Sequence, residues 1–326
     1  MEEFTLEFAQ LKQRVDEELM KTAPIIQPVS LYEPIRYFLS IGGKRLRPIL
    51  LILSSHAVGG STDQAIDAAV AIELLHNFTL VHDDIMDQDH LRRGQSTVHV
   101  KWDESVAILA GDGLIGLAYR QLMKLPPQHL IPVSKLFTEG VIEVCEGQAF
   151  DKEFEDREDV NLKDYFLMIG KKTGRLITMA TQIGAILGGG TDEEIEILTD
   201  YGSIIGTAFQ IQDDLLDIFS SEEVIGKTFG SDVMAGKKTY LMVKSLELAE
   251  SDKHRRIMEI MRSPKITRES LLEIKRIFED TKIFTEAKQE ISTSFQKANQ
   301  VLDRFPHPEA AAGLKRFSEM LLERKY

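Results

Sequence analysis

Only one cysteine, Cys145, stands among the 326 residues. No internal disulfide can form, so the fold must be held by burial alone, as suits a reducing cytoplasm. Also missing is any run of about 18 uninterrupted apolar residues, which excludes an ordinary membrane span. The opening MEEFTLEFAQLKQRV lacks the basic start and apolar block of a secretion or import signal. Positive charge is scarce as well: a net charge of -13 leaves no broad basic surface, which excludes nucleic acid as a partner. Nowhere do apolar and polar residues alternate as a half-buried strand requires.

What is present is helical periodicity over a chain that is 43% hydrophobic, enough for one large interior. The expectation is an all-α bundle in a single domain covering 1–326. Phe4, Phe8, Leu11, Val15 and Leu19 mark a first helix over 3–20. Further helices are predicted over 31–39, 48–56, 62–87, 104–125 and 131–153, with a loop at 94–102. Gly111, Gly113 and Gly116 point to close packing of the 104–125 helix against another helix. Cys145, set between Val141 and Val144, reads as core filling. A long helix from Asn161 is interrupted near Gly170–Gly174 and resumes to Leu187; another runs over 192–219. Residues 220–238 lack periodicity and read as a mobile lid. From 241 to 322 the chain returns to amphipathic helices with no chemical cluster.

The chemistry concentrates between Leu74 and Gly94, LLHNFTLVHDDIMDQDHLRRG. On a helix Asp83 and Asp87 share a face, and paired carboxylates facing a cavity demand a cation. Oxygen donors with room for water and phosphate suit Mg2+; a lone cysteine and scattered histidines do not suit zinc. Arg92 and Arg93 follow at once, matched to an anionic, phosphate-bearing ligand. About 130 residues later Asp213, Asp214 and Asp217 repeat the DDxxD spacing behind Ile204, Ile205, Ala208, Phe209 and Ile211. Two such helices could bracket a polyphosphate through shared Mg2+ ions. The remaining cations come as islands, Lys44/Arg45/Arg47, Lys171/Lys172 and Lys237/Lys238, in keeping with a small anionic ligand. Gln148 and Asp151 either line a cavity or belong to a solvated face.

In order along the chain, Gly42-Gly43-Lys44-Arg45-Leu46-Arg47-Pro48, both DDxxD motifs, Arg92-Arg93-Gly94, Lys172-Thr173-Gly174, Gly226-Lys227, Asp232 and Lys237-Lys238 resemble the trans-prenyltransferases of the polyprenyl (isoprenyl) diphosphate synthase family. The resemblance covers nearly the whole chain and implies the isoprenoid synthase fold, a homodimer, and head-to-tail condensation of isopentenyl diphosphate with dimethylallyl, geranyl or farnesyl diphosphate. It implies that Asp83, Asp84, Asp87, Asp213, Asp214 and Asp217 hold Mg2+, with Asp83, Asp87, Arg92, Lys172 and Asp213 central to catalysis. Lys44, Arg47, His76 and Arg93 would hold isopentenyl diphosphate. Lys172, Thr173 and Gln210 would contact the allylic substrate, with Arg92, Lys227 and Lys237 on the diphosphates. The loop departs slightly from the family pattern at Phe229 and at Lys238-Thr239-Tyr240-Leu241.

Product length is implied by Phe78, five residues before Asp83, which would floor the cavity under the growing chain. Thr79 beside it is small, where farnesyl-type enzymes of one class carry a second aromatic. Geranylgeranyl diphosphate is therefore the expected main product of an archaeal-type enzyme, with farnesyl diphosphate synthesis as the alternative. A terpene cyclase would need no second diphosphate site, and a non-catalytic subunit would have lost acidic or basic positions.

Overall fold

A computed structural model describes residues 2–219, 230–246, 252–263 and 266–323. Helices α1 (Glu2–Thr22), α2 (Val29–Ser40), α3 (Leu46–Ala57) and α4 (Thr62–Met86) lead into a small ribbon of β1 (Leu91–Arg92) and β2 (Gln95–Ser96). After a short α5 (Val98–Lys101) come α6 (Glu104–Leu122), α7 (Pro127–Glu155) and α8 (Leu162–Ile169). A π-helical turn at Gly170–Gly174 joins α8 to α9 (Arg175–Gly188), and α10 (Asp192–Phe219) follows. The described remainder is α11 (Ser231–Met234), α12 (Tyr240–Leu246), α13 (Asp252–Met261), α14 (Arg268–Asp280), α15 (Ile283–Leu302), a 3-10 turn and α16 (Ala312–Leu322). Among the described residues no helix is long and apolar enough to cross a membrane.

The chain forms two compact units: Met1–Val141, Leu176–Gly202 and Asn299–Ser318 in the first; Ile142–Arg175, Ser203–Ala298 and Glu319–Tyr326 in the second. In the first, α4 is the central helix. Ala65, Ile66, Ala68, Ala69, Val70, Ala71 and Ile72 are buried, and within that stretch Asp67 alone is partly exposed, so its neighbours wrap nearly all of it. Each large side chain buried there, such as Ile72 or Leu74, contributes roughly 1.5–3 kcal/mol. The helix starts where the Ser61 backbone N–H donates to Gln64 Oε1 at 2.8 Å, a capping-box arrangement. Small residues on α6 admit its partners: a Cβ on Gly111 would overlap the His82 ring of α4, and one on Gly113 would meet Ile35 and Leu31 of α2. The carbonyls ending α1 are covered by cations, Arg120 on Thr22 O at 2.9 Å and Arg36 on Ala23 O at 3.1 Å. Near the other end of the sequence, the hydroxyl of fully buried Tyr201 donates to Leu314 O at 2.9 Å and lies 2.9 Å from Ser318 Oγ.

In the second unit α8 is capped by Asn161, whose side-chain oxygen accepts from the N–H groups of Lys163 and Asp164 at 2.9 and 3.1 Å. Tyr165, Phe278 and Phe295 fill its interior. Gln212 of α10 donates to Leu321 O at 2.9 Å, and α13 is tied to α14 by a two-pronged Arg256–Glu273 ion pair.

Three local expectations are corrected. Residues 94–102, where a plain loop is expected, hold the second strand of a ribbon and a short helix. Helix α3 starts at Leu46 and not at Pro48: a proline in the first turn gives up an N–H that has no intrahelical partner there anyway. Cys145 is exposed, because buried Val144 points into the interior and the next residue is turned about 100° from it.

Candidate active site

The first unit gathers its candidate residues from the turn before α3 onward. Gly42 (φ 86°) and Arg45 (φ 53°) both take left-handed backbone, a strained choice for arginine that its contacts must support. They do: Arg45 is 3% exposed, with Nε 2.7 Å from Asp16 Oδ1, Nη1 2.7 Å from Glu73 Oε1, and Nη2 donating to Leu39 O. Burial lowers the Arg45 guanidinium, but the charge of Glu73 and the hydrogen bonds of Asp16 and Glu73 outweigh it and leave it raised. With Arg45 folded inward, Lys44 is exposed and Arg47, on the first turn of α3, lies with Nη1 3.2 Å from His76 Nε2. Guanidinium can only donate, so His76 Nε2 accepts and the ring carries its proton on Nδ1. Burial, then the charges of Arg47, Arg93, Arg92 and Arg45, hold the His76 pKa well below the usual imidazole value. The imidazole is neutral, in a positive local field.

The ribbon adds the next two cations. Arg93 (φ 52°) and Gly94 (φ 74°) are the two turn residues, both left-handed as a two-residue hairpin of the primed type requires. Tyr37 donates to Ser96 O at 2.8 Å and Thr97 Oγ1 to Asp89 O at 2.7 Å, fixing the ribbon against α2 and the end of α4. Arg93 Nη1 donates to Gly42 O, and a Cβ on Gly43 would meet its guanidinium, so that glycine is what lets the two loops touch. Burial and then Arg45 push the Arg93 pKa down, with Arg92 and Arg47 adding to the effect. An anion entering here relieves that mutual repulsion.

Helix α4 ends at Asp87, whose N–H donates to Asp83 O at 2.8 Å. Asp83 and Asp87 are half-buried. Asp84 is 1% exposed and takes the Arg92 guanidinium, Nη2 to Oδ1 at 2.5 Å, with Asp89 3.4 Å from the same nitrogen. Burial lowers the Arg92 pKa, but Asp84 chiefly, then Asp89 and Asp83, hold it raised. Phe78 stands edge-on to His82, ring centroids 4.7 Å apart, and Thr79 turns its hydroxyl back onto His76 O at 2.8 Å.

The second unit gathers its own candidate residues around the π turn. Lys172 Nζ is 2.5 Å from Asp151 Oδ2 and Lys171 Nζ 2.5 Å from Glu146 Oε2; of the two residues that either line a cavity or face solvent, Asp151 is buried and Gln148 half-buried. Thr173 Oγ1 donates to Gln210 Oε1 at 2.6 Å, and Gln210 Nε2 donates to Asp214 Oδ1 at 2.8 Å. The Tyr165 hydroxyl and the Tyr240 backbone N–H both donate to Asp214 Oδ2, at 2.8 and 2.7 Å. Burial pushes the Asp214 carboxyl up to about 7 despite these three donors, and burial beside Asp214 raises the Tyr165 phenol well above its usual value. Asp217, also buried, accepts from Ser231 Oγ at 2.9 Å and from the Asp232 N–H at 3.3 Å, so it caps α11. Lys237 lies 3.8 Å from Asp232, and Asp213 is half-buried. Lys227 and Phe229 fall outside the described residues.

The two motifs agree at their first two aspartates and differ at the third. Asp83, Asp87 and Asp213 are half-buried, while Asp84, Asp214 and Asp217 are buried. Among the described residues no three His, Cys, Asp or Glu side chains are gathered as a ready-made metal cage. An all-carboxylate donor set that leaves most coordination positions to water and ligand oxygens fits a hard divalent cation. Sequence reasoning passed over Arg45's inward role, Asp16, Glu73 and Tyr165. Glu73 had a visible signal, a lone acid inside the apolar run AAVAIELL; Asp16 and Tyr165 had none, since they differ from other helix-surface and core residues only by tertiary contact.

Comparison with known proteins agrees over almost the full length. The family model described as polyprenyl synthetase matches residues 28–280. The chain is 40% identical over 314 residues to the short chain isoprenyl diphosphate synthase of Methanothermobacter thermautotrophicus, covering 95% of each. It is 39% identical over 302 residues to the geranylgeranyl diphosphate synthase of Sulfolobus acidocaldarius, covering 90% of this chain and 91% of that one. The crystal structure of geranylgeranyl pyrophosphate synthetase from Pyrococcus horikoshii superposes with a TM-score of 0.91 at 37% identity over 99% of both chains.

Proposed function

Because the chain belongs to the polyprenyl synthetase family, we propose that it condenses isopentenyl diphosphate with dimethylallyl, geranyl and farnesyl diphosphates to give mainly geranylgeranyl diphosphate. The observation that carries the reading is the positive field around neutral His76, made by Arg45, Arg47, Arg92 and Arg93 beside the first acidic motif. Such a site suits a diphosphate, and an imidazole without charge binds it through N–H donation. The family match runs through segments of both units, which supports treating them as one synthase domain.

In the reaction the allylic C–O bond breaks and its electron pair leaves with diphosphate. The isopentenyl alkene then forms the new C–C bond to the allylic cation, and a proton is lost from the adjacent carbon. Mg2+, when bound, supplies neutralisation of the leaving group's charge, and Asp83, Asp87 and Asp213, backed by Asp84, Asp214 and Asp217, are the residues to hold it. Lys172, Thr173 and Gln210 orient the allylic diphosphate; Lys227 and Lys237 add positive charge to it. Lys44, Arg47, His76 and Arg93 hold isopentenyl diphosphate, and Arg92 presents its charge beside Asp84. Aligning the two substrates is a large share of the catalysis, since no protein nucleophile is needed. Phe78, with Thr79 beside it, sets the floor of the chain-elongation cavity.

Exposed Ile108 and Leu109 on α6, Met123 just after it and Ile131 on α7 are apolar surface of the kind that supports a homodimer, and the unpaired, exposed Cys145 suits a reducing cytoplasm. The test is incubation of the purified protein with Mg2+, dimethylallyl diphosphate and isopentenyl diphosphate, followed by chromatography of the dephosphorylated products. A twenty-carbon alcohol is expected; no diphosphate release sinks the reading, and a fifteen-carbon end product corrects it to farnesyl synthesis. Phe78→Ala is expected to lengthen the product.

A further inference from the structure

The π turn Gly170–Gly174 is seated in the same way from two sides. From α7, a Cβ on Gly147 would lie 2.2 Å from Lys172 N and 2.6 Å from its Cα, so backbone rests on backbone with no room for a methyl group. From α10, a Cβ on Gly206 would lie 2.7 Å from Gly174 Cα. One helical turn beyond each glycine, on the same face, a polar side chain grips the turn. Asp151 takes the Lys172 ammonium at 2.5 Å, and Gln210 takes the Thr173 hydroxyl at 2.6 Å. The sequence writes the device twice, as Gly147-Gln-Ala-Phe-Asp151 and Gly206-Thr-Ala-Phe-Gln210. A π turn has poorer hydrogen-bond geometry than the α-helix it interrupts and persists where surroundings hold it. Here the seats set its height and the grips set its rotation.

We infer that Gly147 and Gly206 are positioning residues that fix the Lys172 ammonium and Thr173 hydroxyl for the allylic diphosphate, with Asp151 holding the lysine's direction. The inference rests on the proposed role of Lys172 and Thr173 and adds to it the two glycine seats. A methyl group at either seat must push the turn off its helix, because the atoms it meets are backbone and cannot rotate away.

The experiment measures KM for dimethylallyl and isopentenyl diphosphates separately in full-length Gly147→Ala, Gly206→Ala, Asp151→Asn and Lys172→Ala, together with the Kd of an unreactive thiolo analogue of dimethylallyl diphosphate and a thermal melt. Expected for each glycine variant is at least a tenfold rise in the allylic KM and in the analogue Kd, with the isopentenyl KM within twofold of the parent. A folded Gly147→Ala or Gly206→Ala that keeps its allylic KM overturns the inference, as does an equal rise in both KM values, which is what general loosening would give. Where a glycine variant does not fold, isosteric Asp151→Asn decides by the same split. Lys172→Ala separates the two levels: if it leaves the allylic KM unchanged, the lysine's proposed role fails and the inference with it. If it raises the KM while the glycine variants do not, the inference alone fails.

Discussion

Asp84 and Asp214 hold the same place in their two motifs and are almost wholly buried, 1% and 3% exposed, yet the protein accommodates them by opposite means. Asp84 is met by a full positive charge, Arg92 at 2.5 Å. Among the described residues Asp214 is met by neutral donors, Tyr165, Gln210 and the Tyr240 N–H. Neutral dipoles do not cancel desolvation, and its carboxyl is pushed up to about 7. One repeated sequence motif therefore conceals two electrostatic environments. The pattern of aspartates reports which carboxylates gather, whereas the partners decide which of them stays charged.

The comparison breaks or holds on graded substitutions. The largest effect is expected from Arg92→Ala, which strands a buried carboxylate and should cost about 3–5 kcal/mol in urea unfolding. If the loss is below about 1 kcal/mol, the ion pair is not what keeps Asp84 inside. Next comes the pH dependence of stability in EDTA. The folded Asp214 pKa of about 7 lies above its ordinary 3.8, so the stability this group contributes is whole below about pH 4 and lost as pH rises through 7. Asp214→Asn should flatten that slope; an unchanged slope places the titration elsewhere. Tyr165→Phe, removing one neutral donor, should cost about 1–2 kcal/mol, and a loss matching that of Arg92→Ala would erase the contrast. Smallest of all, Asp89→Ala removes the more distant and more exposed of Arg92's two carboxylates and should change stability by about 0.5 kcal/mol or less.

Much of this was legible in the residues. Helical period alone places Asp83 and Asp87 at the end of α4, the break near Lys172 appears as the π turn, and Gly111 and Gly113 do sit where helices approach closely, whereas a Cβ on Gly116 would meet open space. The ribbon was not, because Arg93 at a positive φ is an unfavourable choice that tertiary contacts impose, and two-residue strands leave no alternation to read. Nor could spacing reveal that Arg45 turns inward while Lys44 turns out: that follows from Asp16 and Glu73, one on each of two other helices. Cys145 shows the same limit at the scale of one residue, since an apolar neighbour a single position away says little about which way a helix faces.

The hydroxyl of Tyr201 reaches Leu314 and Ser318, 113 and 117 positions further along the chain. On a ribosome adding about 5–20 residues per second, Tyr201 waits roughly 6 to 23 seconds before its partners exist. The first unit, which holds Asn299–Ser318 as well as the earliest residues, therefore cannot complete its interior during translation of its own first segments. It must close around Asn299–Ser318, a segment made only after Ser203–Ala298 of the second unit.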